Sequence, residues 1–162
     1  MSPQGKRAGE TLVLSDLRGK LVGLIFGSYT WPPFRAEAVR LNDLAKGVGE
    51  QIQFICVYVE EAHPTYGSQS PKNEAEGILF ARPTNADERA EVAADCMLRI
   101  NFSFPMVLDN MNNETVSTYV AMPERLYLLD ENGRVTWKCG LGLHYFYADG
   151  FERAARDMLA LT

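Results

Sequence analysis

Two apolar runs dominate the first half of the chain, and each has the composition of a buried β-strand. Residues 21–26 and 52–59 are continuous and rich in β-branched and aromatic side chains, which is typical of parallel strands covered on both faces. Between them, from residue 34 to residue 46, apolar residues recur at helical spacing. The pattern therefore predicts a β-α-β unit whose helix packs on the sheet.

The second half predicts shorter elements separated by polar turns. A helix is expected after a cap at Asn85 or Asp87, and a short Asn-capped helix across residues 112–120. Residues 126–129 and 135–138 predict a hairpin, because the Asn-Gly pair between them supplies the positive φ of a tight turn. A closing helix is predicted from one apolar stripe, formed by Phe151, Ala154, Ala155, Met158 and Leu161.

The remaining segments are less regular. Residues 11–14 favour a short strand, and the polar residues 15–20 after them favour a turn. Residues 65–82 are broken up by Gly, Ser, Pro and Asn, which predicts a surface loop with a short helical turn. No repeat or linker interrupts the chain, so a single domain over residues 1–162 is expected.

The loop between the first strand and the first helix is the most informative segment. A reactive group there would lie at a helix N-terminus, where unpaired N–H groups and the helix dipole stabilise a thiolate. Trp31 occupies that place, and an indole forms no such anion. The loop reads Gly27-Ser28-Tyr29-Thr30-Trp31-Pro32-Pro33-Phe34.

Three motifs in register resemble the iodothyronine deiodinase family. The loop resembles the family's Gly-Ser-Cys-Thr-selenocysteine-Pro-Pro-Phe sequence, and residues 57–64 resemble its second signature. Residues 109–113 followed by residues 123–127 resemble a third. The resemblance extends over residues 11–160 and implies an α/β, thioredoxin-like fold, a central mixed sheet flanked by helices on both faces.

The chain departs from the family pattern at two positions of the loop. Trp31 stands at the selenocysteine position, and Tyr29 replaces the cysteine two residues before it. The family's second histidine is also missing, since the matching stretch is residues 82–85. The other histidine of the chain, His144, is expected on the surface of an aromatic loop.

The resemblance implies roles for side chains around position 31. It implies that His63 donates a proton or polarises the substrate, which suits a histidine at neutral pH. It also places Tyr58 in the same proton network. Glu61, two residues before His63, is expected to orient the imidazole or to relay a proton. The residues alone leave alternatives: Glu61 as a solvated carboxylate at a strand end, and Tyr58 as a packed aromatic.

The remaining candidate residues also have alternative roles. Ser28 and Thr30 either bond the reactive atom or cap the helix. Arg125 resembles the family's substrate-binding arginine, although an ion pair with Glu124 or Asp109 explains it as well. The fold that the resemblance implies places Pro105 at the structural cis-proline beside the active loop.

Composition limits the partners that we expect. The chain has 162 residues and a net charge of −5, which argues against nucleic acid and anionic membranes as partners. No apolar run has the length of a membrane span, and residues 1–10 contain no signal-peptide core, so a soluble cytoplasmic protein is expected. The chain therefore resembles a soluble, prokaryotic relative of the animal enzymes or a truncated catalytic domain.

The three cysteines do not form a recognisable site. Cys56 and Cys96 lie on apolar patterns and are expected to be buried thiols, whereas Cys139 follows a strand end and is less determined. Their spacing predicts neither a disulfide framework nor a metal site. No metal and no cofactor are expected, with a thiol reductant as cosubstrate if the chain is active.

Three functional hypotheses follow. The first is a deiodinase-like oxidoreductase that dehalogenates iodinated aromatic compounds, inactive as written because Trp31 replaces the nucleophile; a tryptophan codon lies one base from UGA and from both cysteine codons. The second is a redox-dead protein that binds a small aromatic ligand, with Trp31 as a stacking surface. The third is a non-redox enzyme with Glu61 and His63 as an acid–base pair. The family resemblance also implies a homodimer.

Overall fold

The structure is a computed structural model that describes residues 10–142 and 144–161. Five strands and five α-helices follow a short 3-10 helix at Leu14–Leu17. The strands are β1 (Leu21–Gly27), β2 (Ile52–Tyr58), β3 (Met106–Leu108), β4 (Arg125–Leu129) and β5 (Val135–Lys138). The helices are α1 (Pro32–Val48), α2 (Pro71–Glu76), α3 (Ala86–Ile100), α4 (Glu114–Thr118) and α5 (Ala148–Leu159).

The strands form one mixed sheet in the order β3-β2-β1-β4-β5. β1 pairs in parallel with β2, which pairs in parallel with β3. β4 is antiparallel to both β1 and β5. All seven residues of β1 are buried, because helices and loops cover both faces of the sheet at its centre.

Alternate residues of the central strands enter two separate hydrophobic clusters. One cluster packs against the long helices α1, α3 and α5, through residues such as Phe34, Cys96 and Phe151. The other covers the opposite face and includes Val116 of α4. The predicted β-α-β unit, hairpin and closing helix are confirmed, with bounds that differ by a few residues.

One local prediction is wrong, and another is confirmed only in part. Residues 11–14 do not form a strand, because Leu14 and Leu17 lie one 3-10 turn apart and both pack on the second cluster. The helix predicted over residues 112–120 is confirmed as the shorter α4, and Asn113 at its N-terminus makes no side-chain cap. Asn110 Oδ1 accepts the Glu114 N–H at 3.1 Å instead, and the Asp109 carboxylate accepts the N–H groups of Thr115 and Val116.

The predicted cis-proline is also misplaced. Among the described residues, the cis peptide bond precedes Pro123, and Pro105 is not its site. Pro105 leads into the edge strand β3, whereas Pro123 leads into β4, which pairs with β1. Only the second position lies beside the loop that follows β1, because Phe26 is paired with Arg125.

Gly27 is required where β1 passes under the first turn of α1. A Cβ at this position would lie 2.6 Å from Phe34 Cε2, and Phe34 is fully buried. We expect Gly27→Ala to destabilise the fold by about 1–3 kcal/mol through overpacking. Gly47→Ala is the matched control, because its Cβ meets nothing within 4 Å inside α1 and should be neutral or stabilising. Urea unfolding measures both, and equal stabilities of the two variants would contradict the packing described.

Candidate active site

Three segments meet at one edge of the sheet. The loop after β1 and the segment after β2 are neighbours, because Gly27 is paired with Tyr58 at the ends of parallel strands. The start of β4 lies there too, because Arg125 is paired with Phe26 in antiparallel register. The carboxyl end of parallel strands is where sites of open α/β sheets form.

Glu61 organises the first two of these segments. Its side chain is buried, with 1% exposure, so the alternative of a solvated carboxylate is wrong. One oxygen accepts bonds from the backbone N–H and hydroxyl of Thr30, at 3.0 and 2.6 Å, and the other accepts the Tyr58 hydroxyl proton. Burial raises the pKa of Glu61, although the hydrogen bonds from Thr30 and Tyr58 act against this rise.

Tyr58 extends this network to the loop. Its hydroxyl oxygen accepts the backbone N–H of Tyr29 at 3.1 Å, and its ring is fully buried in the first cluster. Burial, together with the adjacent Glu61, raises the pKa of Tyr58 well above its usual value. Tyr58 is thus both a packed aromatic and a member of the hydrogen-bond network.

Ser28 and Thr30 do not cap α1, whose N-cap is Trp31 without a side-chain bond. Ser28 Oγ accepts the backbone N–H of Ala62 at 3.3 Å. Thr30 Oγ1 accepts the backbone N–H of His63 at 3.2 Å while it donates to Glu61. Both hydroxyls therefore tie the loop to the segment after β2.

His63 lies against Trp31. The two rings are stacked, with centroids 5.2 Å apart and planes inclined by 24°. His63 Nδ1 lies 2.6 Å from the carbonyl oxygen of Ser68, and since a carbonyl only accepts, Nδ1 carries the hydrogen. Nε2 is therefore the nitrogen left for proton exchange with a ligand.

Glu61 does not orient this imidazole. Within the described residues no hydrogen bond joins the two side chains, because Thr30 and Tyr58 take the Glu61 oxygens and Ser68 takes His63 Nδ1. The structure thus gives no support to a direct acid–base pair of Glu61 and His63.

Glu124 holds the other edge of the indole. Trp31 Nε1 donates a hydrogen bond to Glu124 Oε2, and Glu124 is only 1% exposed. Its second oxygen is buried without a hydrogen-bond partner in the part of the chain that the structure describes. Loss of hydration raises the pKa of Glu124 to about 7, the Trp31 bond opposes the rise, and nearby Glu37 adds to it.

The sequence motif predicts Glu124 only as an ion-pair partner of Arg125, and the bond to Trp31 is a role that it does not predict. The alternation of side chains along β4 indicates which face Glu124 shares, because Leu126 and Leu128 both enter the cluster against α1. Glu124 is two residues before Leu126, so it shares their face and lies under the N-terminus of α1.

Arg125 takes the opposite face. Its Nη1 donates to the carbonyl of Val120 at 2.9 Å, and its guanidinium lies 5.6 Å from the centroid of the Tyr127 ring. No ion pair of Arg125 with Glu124 or Asp109 is present among the described residues. The structure does not bring Arg125 together with Trp31 and His63.

Two side chains that the sequence analysis did not single out fix the loop's carbonyl groups. Asn73 of α2 is fully buried, and its amide donates to the Thr30 carbonyl at 2.7 Å. Arg35 of α1 donates to the Tyr29 carbonyl at 2.6 Å. A buried amide within a loop-rich sequence has no distinguishing pattern, so Asn73 could not have been found beforehand.

The three cysteines are buried and unpaired, as predicted for Cys56 and Cys96. Cys139 Sγ accepts the backbone N–H of Leu126 at 3.2 Å. Burial raises the pKa of each thiol, so none has the properties of a reactive thiolate. His144 is exposed, as expected, and residues 10–142 and 144–161 contain no group of three His, Cys, Asp or Glu arranged to hold a metal.

Comparison with known proteins identifies the family. The profile of the family described as iodothyronine deiodinase matches residues 10–153. The chain belongs to this family. It is 33% identical over 119 residues to the type I iodothyronine deiodinase of Xenopus laevis, covering 74% of this chain and 45% of the relative. It is 34% identical over 138 residues to the thyroxine 5-deiodinase of Gallus gallus, covering 80% and 49%.

Solved structures confirm the thioredoxin-like fold. A thioredoxin-like protein in its oxidised form matches with a TM-score of 0.64 at 14% identity, covering 99% of this chain and 95% of that one. The thioredoxin domain of a thiol-disulfide oxidoreductase from Bacteroides vulgatus matches with a TM-score of 0.62 at 14% identity, covering 93% and 86%. Identities this low establish the fold alone.

The family members and this chain differ in extent. The chain spans about half the length of the curated deiodinases that it matches. In its described residues, no helix is long and apolar enough to cross a membrane.

The raised pKa of Glu124 predicts a pH-dependent stability. Because its pKa rises from 4.5 to about 7 on folding, the folded state binds the proton more tightly. The contribution of Glu124 to the free energy of unfolding is therefore fully present below pH 4.5. It is lost, by up to about 3 kcal/mol, as the pH rises from there through about 7. We expect Glu124→Gln to reduce this fall in the free energy of unfolding and to be more stable than the parent at pH 8.

Urea unfolding from pH 5 to pH 8 measures this effect. Glu50→Gln, at an exposed position, is the matched control and should follow the parent. Glu61 contributes a fall in the same direction, so part of the pH dependence remains in Glu124→Gln. Parallel curves for Glu124→Gln and the parent would show that the Glu124 carboxyl is not perturbed.

Proposed function

We propose that this chain is a deiodinase-like oxidoreductase domain whose nucleophile position is closed by Trp31, so that it does not turn over as written. The observation that carries the proposal is the set of groups around position 31. Tyr58, Glu61 and Thr30 form a buried network, and His63 lies against the side chain at position 31. The family assignment and the thioredoxin-like fold support the same activity.

The chemistry explains why the residue at position 31 decides activity. Reductive dehalogenation replaces a carbon–iodine bond by a carbon–hydrogen bond, and it consumes two electrons and one proton while releasing iodide. A thiol or selenol at the helix N-terminus supplies the electrons, and a thiol reductant restores it. In this proposal His63 Nε2, the ring nitrogen not bonded to Ser68, exchanges the proton. An indole at position 31 cannot pass through this redox cycle.

The proposal also includes a substrate class and a cellular compartment. We propose a small, iodinated aromatic compound as substrate, because aromatic rings already pack against one another in the site. The unpaired cysteines favour a reducing compartment such as the cytoplasm.

A thiol at position 31 should restore the missing chemistry. We expect no thiol-dependent iodide release from iodotyrosine by the parent above a no-enzyme control, and measurable release by Trp31→Cys with dithiothreitol. The introduced thiol should react with an alkylating agent with a pH midpoint below about 8.5, because α1 begins there. Glu124→Gln in the same variant should lower the midpoint further, because it removes a negative charge.

Trp31→Ser is the matched control, because it opens the same space without a redox group. If the parent releases iodide and this activity disappears when Cys139 is replaced, the nucleophile is Cys139 and not the residue at position 31. A thiol midpoint at or above about 8.5 in Trp31→Cys, with or without Glu124→Gln, would contradict a nucleophile site at the helix N-terminus.

A second candidate function is binding of a small aromatic ligand without redox chemistry. The observation that favours it is the setting of the indole, which is stacked on His63 and donates its N–H to Glu124. The Trp31 ring is partly exposed, so its free area is a stacking surface for an aromatic ligand.

The contacts on which this candidate depends can be tested by replacing the Trp31 side chain with a free molecule. We expect Trp31→Ala to bind added indole, which restores both the stacking and the bond to Glu124, with a gain in stability of about 1–3 kcal/mol at saturation. Thermal unfolding with and without indole measures the gain. 1-Methylindole lacks the N–H donor and should stabilise this variant less; equal effects of the two compounds would rule out the Glu124 contact.

A further inference from the structure

A concave surface outside the candidate active site is lined in part by Tyr29 of the loop after β1. It is a groove of about 270 Å³ between α1, α2 and α3. Tyr29 lines it, but Trp31, His63 and Glu124 do not. The groove is therefore separate from the candidate active site. The lining residues that matter here are Tyr29, Arg35, Lys72, Glu76, Arg99 and Ile100.

The groove carries a net positive charge, whereas the net charge of the whole chain is negative. Its lining holds three cations, Arg35, Lys72 and Arg99, and one carboxylate, Glu76, whereas the net charge of the chain is −5. Asp95 of α3 is also close enough to act on Tyr29, as are Arg35 and Arg99. The local balance remains positive after this second carboxylate is included.

Helix stability does not explain two of the three cations. Arg35 and Lys72 lie in the first turns of α1 and α2, where the helix dipole disfavours positive charge. Arg99 lies in the last turn of α3, where a cation is favoured. Glu76 already pairs with Arg35, so an anion between the helices would offset the unfavourable placement of Lys72.

Two of the cations are available to a ligand. Arg35 is held by the Tyr29 carbonyl and by Glu76, at 2.6 and 2.7 Å. Lys72 is 3.9 Å from Glu76 and half exposed, so that pair is weak. Arg99 is exposed and makes no ion pair within the described residues.

We propose that this groove binds a small carboxylate with an apolar body. The carboxylate pairs with the guanidinium of Arg99, whose fork suits two parallel hydrogen bonds, and with the ammonium of Lys72. The apolar body packs against Ile100, which is partly exposed and lines the same groove beside Tyr29. This inference does not depend on the proposed function, because none of its residues belongs to the redox chemistry.

Benzoate is the probe, titrated into the full chain at low ionic strength and followed by calorimetry and by backbone amide shifts in NMR spectra. We expect saturable binding with shifts at the groove residues. Arg99→Gln and Lys72→Gln should each weaken it about tenfold or more, the scale of one hydrogen bond to a charged group. Arg153→Gln removes an exposed arginine of α5 and should leave the affinity unchanged. Benzamide, which has the same ring without the charge, should not bind.

The outcomes separate this site from the one at Trp31. Absence of saturable benzoate binding, or binding unchanged in Arg99→Gln, overturns the proposal. Binding that is lost in His63→Ala and kept in Arg99→Gln places the ligand at the candidate active site and also overturns it. Binding lost in Arg99→Gln and kept in His63→Ala supports it, whatever the activity of Trp31→Cys.

Discussion

Two buried carboxyl groups set the arrangement of the active edge, and each needs hydrogen-bond donors because a buried charge without partners is costly. Glu61 receives its donors from Thr30 and Tyr58, so this carboxyl joins the loop after β1 to the segment after β2. Glu124 receives one donor, the indole N–H of Trp31, and its other oxygen has no partner among the described residues. The side chain at position 31 is therefore part of the hydrogen bonding that holds the third segment in place.

This arrangement gives Trp31 a structural role in the loop after β1. Its ring is stacked on His63 and donates its N–H to one oxygen of Glu124, so it lies between these two ionisable side chains. A smaller residue with a thiol would leave that space open and leave Glu124 without its donor. The same geometry keeps this site folded and closed, and it is the basis of the proposal that the chain does not turn over.

Much of this site could be predicted from the sequence, because the residues that build it lie in contiguous motifs. The strand-loop-helix pattern placed Trp31 at a helix N-terminus, and the segment after β2 supplied Tyr58, Glu61 and His63 in one stretch. The partners of these side chains were harder to predict, because they depend on which strand lies beside β1. Pro105 and Pro123 both precede strands, and only the sheet order shows that the strand after Pro123 is the neighbour. Arg125 and Glu124 are adjacent in sequence but point to opposite faces of the sheet, so a motif alone could not choose between them.

The central claim is that the Trp31 indole and the Glu124 carboxyl share a hydrogen bond in a buried site. The most direct test is the NMR resonance of the Trp31 indole N–H as a function of pH, assigned by its absence in Trp31→Phe. It should shift with a midpoint near 7, the pKa of Glu124, and the Trp137 indole N–H should not. The shift should persist in His63→Gln and disappear in Glu124→Gln. A Trp31 resonance that does not change with pH, or whose change survives Glu124→Gln, would contradict this account.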